Sequence, residues 1–423
     1  MPLFKNHKVS IQKILDLIPD NLLSNLAKNT NVDYCAKVLY GERVFNLLLY
    51  GILTTERTSQ RTLEDLFESD LFKTMFCYGP NLSISRSSIS ARLSVIDPEF
   101  FRLAYEHIYV EFSKHFTLKE QQKYKIIRVD SSMVTETCSK LKKGLTPGKK
   151  RSNGGEKAKQ VKLTMAFDGL TASNIELFTD AKYCSEDVAI PELIFKDASK
   201  TDSHVNIYTF DRGVASTKVF ANFNNQKIKF VGRLKTNRRF NIIESDQVSE
   251  FDKDLGELRL LSSQVVNLSG KYAFDYDQCY RLIIAERKIK SGTKQTGKKT
   301  NTKKVEDLFY FITNDLNLTP LEVTEIYKQR WEIEVFFRFI KQELNASHFI
   351  SVSENGIKVV LYMTLIASML LLLYRKQNEL GYKTAKRRFT MELWQTIVAV
   401  VVKECGGDPE LMRKEYFHRF VVP

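Results

Sequence analysis

Apolar residues such as Ile11, Ile14, Leu15 and Ile18 recur at helix spacing, and up to about residue 120 few runs alternate as a strand does. From Lys125 the texture changes to short β-branched and aromatic runs. Ile126-Ile-Arg-Val-Asp130 and Val161-Lys-Leu-Thr-Met-Ala-Phe167 predict two strands. Val205 to Phe210 and Ile228 to Leu234 predict two more, around a helix near Ala215 to Phe223. Residues 236 to 305 read as β-rich, with strands at Tyr272 to Tyr276 and Tyr280 to Arg287, and a further strand follows at Leu308 to Thr313. Thr319-Pro320 then opens a long helix. The run Val359 to Tyr374 is 16 residues, bounded by Lys358 and Arg375. It falls short of the roughly 20 that span a bilayer and predicts a buried helix. Leu393, Ile397, Val400 and Val401 predict another packed helix near the C-terminus.

The pattern predicts an α/β chain in five segments: a helical region over 1–120, a core in two parts at 121–235 and 306–375, a β-rich insertion at 236–305, and a helical region at 376–423. No internal repeat stands out.

The long helix carries the densest chemistry. On a helix turning about 100° per residue, Tyr327, Arg330, Glu334 and Lys341 fall within a wedge of roughly 60°. Ile326, Ile333, Phe337, Ile340 and Leu344 form an apolar stripe beside it. Glu332 points roughly 160° away from Glu334 and shares neither face, so Glu334 is the candidate carboxylate. By itself the wedge is also what an amphipathic helix with ordinary (i, i+4) ion pairs presents, each worth only about 0.2–0.5 kcal/mol.

Composition narrows the partner. Lysine and arginine outnumber aspartate and glutamate by 64 to 50, a net charge of +14 that favours nucleic acid or another polyanion. Six cysteines lie far apart with no Cys-x-x-Cys pair, which indicates neither zinc nor a disulfide framework and fits a cytoplasmic location without a membrane. The N-terminus shows no signal-peptide pattern. The stretch Lys140 to Lys162 gathers Lys149, Lys150 and Arg151 with other lysines among glycines, as a loop meeting a phosphate backbone would; a solvated tip looks the same. In the N-terminal region, Glu42 to Phe67 and the Ser85 to Leu93 segment, with Arg86 and Arg92, read as a DNA-binding unit, and a plain helix bundle gives a similar pattern.

Two further carboxylates stand where strands deliver them. Asp130 closes Ile126-Ile-Arg-Val-Asp130, where a buried charge is costly unless it binds something. Asp211 closes Ile207-Tyr-Thr-Phe-Asp211, and Gly213 permits a sharp turn beside it. Asp168, Asp180 and Asp187 rank lower, lying at turns or a helix start. With Glu334 the two make an Asp, Asp, Glu set, and magnesium takes one or two carboxylates together with phosphate oxygens.

Val129-Asp130-Ser-Ser, Phe210-Asp211-Arg-Gly213 and the Tyr327, Arg330, Glu334, Lys341 spacing together resemble the DDE transposases of the insertion-sequence-four family, whose signature is Y-x2-R-x3-E-x6-K. Phe230-Val-Gly-Arg-Leu-Lys-Thr-Asn237 and Phe309-Tyr-Phe-Ile-Thr-Asn314 are similar to it too, and the resemblance covers about residues 123 to 375. It implies a ribonuclease H-like catalytic core interrupted by the β-rich insertion. It further implies two Mg2+ ions, replaceable by Mn2+, on Asp130, Asp211 and Glu334. Tyr327, Arg330 and Lys341 would contact DNA phosphates. The implied activity is cut-and-paste transposition: binding terminal inverted repeats as a homodimer on paired ends, cleaving strands and joining them to target DNA. Related enzymes that form hairpins can stack a flipped base on a tryptophan in the insertion, whereas the tryptophans here are Trp331 and Trp394. A transposase-derived DNA-binding protein without catalysis, and a metal nuclease or resolvase on the same core, are the competing readings.

Overall fold

The computed structural model describes residues 4, 8–115, 124–135, 144–145, 160–199, 206–246, 253–268, 278–288, 308–344, 346 and 350–409. They fall into two compact units, one of Met1–Thr117, Thr135–Lys143 and Arg338–Pro423, the other of Leu118–Val134 and Gly144–Phe337.

The first unit is helical: α1 (Ile11–Leu15), α2 (Leu22–Thr30), α3 (Gly41–Thr54), α4 (Gln60–Glu68), α5 (Asp70–Met75), α6 (Arg86–Val95) and α7 (Glu99–Lys114), with the C-terminal helices α12 (Glu354–Gln377) and α13 (Tyr382–Glu404). Serines set two of the starts. Ser59 and Ser85 each accept from the backbone N–H three residues on, and the hydroxyls of Thr62 and Ser88 answer back, closing capping boxes at α4 and α6. Helix α12 is the centre of this unit and packs on α3, α6, α7 and α13. It is long and apolar enough to cross a membrane, yet Met363 to Tyr374 is buried throughout, as a core helix requires. On α13, Leu393 and Ile397 are buried.

The second unit is built on one sheet, with strands β1 (Lys125–Thr135), β2 (Gln160–Phe167), β3 (Ala172–Phe178), β4 (Asn206–Phe210), β5 (Lys229–Leu234), β6 (Asn241–Ser245), β7 (Asp254–Leu255), β8 (Leu258–Asn267), β9 (Cys279–Arg287) and β10 (Leu308–Thr313). Among the described residues the order is β3-β2-β1-β4-β5-β10-β9-β8-β6, with β7 paired to β8. Strands β1, β4 and β5 run parallel. The segment 236–305 reads from sequence as an insertion, and its strands extend the core sheet directly: β9 pairs antiparallel with β10 from Glu286 opposite Leu308 to Arg281 opposite Thr313. The strand predicted at 272–276 lies outside the described residues.

Alternation along the strands gives the sheet two apolar faces. Ile127, Val129, Tyr208, Phe210 and Phe230 pack with Ile190, Leu193 and Ile194 of α8 (Glu186–Ala198) and with Phe220 and Phe223 of α9 (Thr217–Asn225). Ile126, Ile207, Val231 and Phe311 face Val323 and Ile326 of α10 (Pro320–Gln329). Helix α10 starts where its sequence dictates: Thr319 and Glu322 form a capping box and Pro320 takes the first turn.

The long helix expected from Thr319 onward breaks at Arg330, and α11 (Trp331–Glu343) follows. Arg330 N bonds to Tyr327 O at 3.0 Å and Ile333 N to Arg330 O at 3.3 Å, so the ladder tightens to three-residue steps there.

Candidate active site

Neighbouring strands carry the two aspartates. Arg128 lies opposite Thr209 in the parallel pair of β1 and β4. Asp130 comes two residues later and, contrary to its reading as a strand end, sits inside β1, which runs on to Thr135, while Asp211 follows directly on the end of β4. The third acid arrives from the far side of the break. Arg330 donates through Nη2 to Glu334 Oε1 at 2.6 Å, while its Nη1 stands 3.9 Å from Asp130 Oδ2. Tyr327, on the last turn of α10, donates its hydroxyl to Asp211 Oδ1 at 3.2 Å and rests its ring edge-on against Phe311. Asp130, Asp211, Tyr327, Arg330 and Glu334 thus form one cluster within the second unit.

Electrostatics show which of these groups are strained. Burial pushes the Asp130 carboxyl up to about 6, with Glu186 and Glu334 adding to the rise while the Ser131 N–H and Arg330 oppose it. Burial and Asp211 push the Tyr327 hydroxyl up to about 12, so it remains a proton donor. For Arg330, burial pulls down but Tyr327, Glu334 and Asp211 outweigh it, and the guanidinium stays charged. Its Nε is buried with no hydrogen-bond partner among the described residues.

Several neighbours escape a reading of the sequence. Glu186, at the first turn of α8, acts on Asp130 more strongly than Glu334 does, and its carboxylate fills the space beside Gly213. Asp187 Oδ1 accepts from Ala215 N at 2.6 Å and Ser216 N at 2.9 Å, pinning the loop that follows Asp211. Lys162 is buried, donates to Cys184 O at 3.0 Å, and is lowered by that burial against the pull of Glu186, Cys184 and Asp130. Arg128 pairs with Glu332 at 2.9 Å, so Glu332 has a partner of its own away from Glu334. A charge inside the apolar run Ile-Ile-Arg-Val is the one sequence signal that marks any of these residues. Asp168, by contrast, spends Oδ1 on the N–H groups of Leu170 and Thr171 in its own turn.

The remaining candidates are elsewhere. Lys341 lies in the part of α11 that belongs to the helical unit. Lys149, Lys150 and Arg151 lie outside the described residues. Arg86 is exposed at the start of α6. Arg92 donates to Leu39 O at 2.9 Å and Val32 O at 2.5 Å, so its guanidinium ties α6 to the chain ahead of α3.

Three carboxylates are hard oxygen donors of the kind that hold magnesium, and Asp130 carries repulsion from two other acids that a divalent cation would relieve. In chemistry the set fits such an ion. Among the described residues, however, no three acidic, histidine or cysteine side chains are gathered around one point. Arg330 engages Glu334 and Tyr327 engages Asp211.

The family model for the transposase DDE domain matches residues 121–370, more than half of the chain. A Sinorhizobium fredii protein that carries a transposase name is 25% identical over 173 residues, 41% of this chain and 44% of its own. Proteins of Synechocystis sp. and Geobacillus stearothermophilus, both named as transposases of insertion sequence elements, are each 37% identical over 60 residues, 14% of this chain and 18% and 16% of theirs. The chain therefore aligns with less than half the length of these relatives. Among solved structures, a piggyBac transposase synaptic complex with hairpin DNA is similar at a TM-score of 0.46 and 12% identity, over 97% of this chain and 83% of that one. That score is too low to assign a fold.

Proposed function

This chain belongs to the DDE transposase domain family, and from that membership we propose that it is a cut-and-paste transposase of the insertion-sequence-four type, which binds the terminal inverted repeats of its element and cleaves and transfers DNA strands. A DDE domain implies use of a divalent metal in general; Mg2+, with Mn2+ as substitute, is the ion proposed here. The observation that carries the reading is the cluster itself: acids from within β1, from just after β4 and from the start of α11, all engaged by Arg330 and Tyr327. The strand order β3-β2-β1-β4-β5 with helices on both faces supports a ribonuclease H-like core.

Asp130, Asp211 and Glu334 would hold the metal, which supplies Lewis-acid charge to the attacking and leaving oxygens of phosphoryl transfer when bound. Tyr327, protonated throughout the neutral range, orients the Asp211 carboxylate. Arg330 keeps a full charge and has a buried Nε without an acceptor among the described residues, so a phosphate oxygen completes its donors and draws it off Glu334. Lys341, Lys149, Lys150, Arg151 and Arg86 would add phosphate contacts along the DNA. Two copies on paired ends would bring both cleavage events together.

The test is cleavage of a labelled element end in Mg2+. Glu334→Ala should bind the end as the native chain does and lose nicking by at least about a hundredfold. Glu325→Ala, on an exposed position of α10, should keep both. Nicking that persists in Glu334→Ala would remove the assignment.

A further inference from the structure

Arg128 is a cation in the middle of an apolar strand, and only 5% of it is exposed. A buried guanidinium is costly unless its donors are answered. Nη1 donates to Ile126 O at 2.7 Å, Nη2 to Gln329 Oε1 at 2.5 Å, and Nε reaches the Gln329 carbonyl at 3.4 Å. Nη2 also stands 2.9 Å from Glu332 Oε2. Gly169 leaves room for this: its φ is +100°, and a Cβ there would come within 3.0 Å of Nη1. One side chain thereby joins β1, the last residue of α10 and the first turn of α11.

The join coincides with the break. In an unbroken helix the Gln329 carbonyl would accept from Ile333 N; here it faces Arg128, and Ile333 N turns to Arg330 O. Asp130 is two residues beyond Arg128 on the same face of β1. Glu334 stands in the same first turn of α11 as Glu332 but on its opposite side. A tie between 128 and 332 therefore fixes the helix start from which Glu334 projects.

We infer that Arg128 is a positioning residue of the active site: it holds the break between α10 and α11 so that Arg330 and Glu334 meet Asp130. The inference rests on Asp130, Asp211 and Glu334 being the metal-holding acids. It adds a residue that touches neither metal nor DNA but governs the affinity for the ion.

The experiment titrates the full chain with Mn2+, without DNA, following free Mn2+ by electron paramagnetic resonance, with melting curves alongside. Arg128→Lys keeps the charge but cannot answer Ile126, Gln329 and Glu332 at once. Its Mn2+ Kd should rise about tenfold, the Mn2+ needed for half-maximal nicking should rise by the same factor, and binding of an element end should be unchanged. Glu332→Gln, which keeps size but loses charge, should show a smaller rise. Asp130→Asn should lose the ion. If Asp130→Asn binds Mn2+ as the native chain does, the metal reading itself fails. If Asp130→Asn loses it while Arg128→Lys and Glu332→Gln keep native affinity, the positioning role is overturned. Should Arg128→Lys not fold, Gln329→Met, which removes the Oε1 acceptor at similar length, decides by the same criterion.

Discussion

Asp130 pays for its largely buried place inside β1. Its carboxyl, ordinarily titrating near 3.8, is raised to about 6 by burial with Glu186 and Glu334 nearby. The sign follows directly. Well below pH 3.8 the group is protonated folded or unfolded and costs nothing; the cost grows between about 4 and 6, where the unfolded chain ionises while the fold keeps its proton, and is complete above 6. In metal-free protein Asp130→Asn should therefore melt higher than the native chain at pH 8, by at most about 3 kcal/mol, with the advantage gone at pH 4. A variant that is destabilised at pH 8 would mean that Arg330 repays the burial in full. Asp130 was legible in the sequence because a carboxylate after the apolar run Ile126 to Val129 is anomalous, although the strand does not end there but runs on to Thr135. Glu186 was not: a glutamate in the first turn after a serine is what any helix start offers, and only the fold carries it to Asp130.

Elements differ in legibility for equally physical reasons. Strands β1, β2, β4, β5 and β10 announce themselves through short runs rich in β-branched and aromatic residues. Strand β3 does not, since Ala172-Ser-Asn-Ile-Glu-Leu-Phe178 carries poor strand formers that only pairing with β2 holds extended. Helix α8 hides behind Pro191. The break at Arg330 is invisible because nothing in Tyr327 to Glu334 disfavours a helix; the cause, Arg128, is two hundred residues upstream. The loop after Asp211 gives a test at this scale. A Cβ at Gly213 would lie 1.5 Å from Glu186 Oε2, so glycine is needed there for close approach and not for the turn alone. Gly213→Ala should cost about 1–3 kcal/mol in stability. Most of that should return in the Glu186→Ala background, measured by melting, and equal costs in both backgrounds would break the contact argument.

Across the whole molecule, the proposed function would divide the labour between a net charge of +14, to hold DNA, and the acids at 130, 211 and 334, to act on it. Positions 130, 211 and 334, far apart in the chain, serve one site only if the fold closes them on one ion. Replacing the metal by Fe2+ and generating hydroxyl radicals with ascorbate and peroxide cuts the backbone beside the bound ion. Cuts near residues 130, 211 and 334 that vanish together in Asp130→Asn are the predicted result; cuts confined to other segments, or unchanged by Asp130→Asn, would contradict the site.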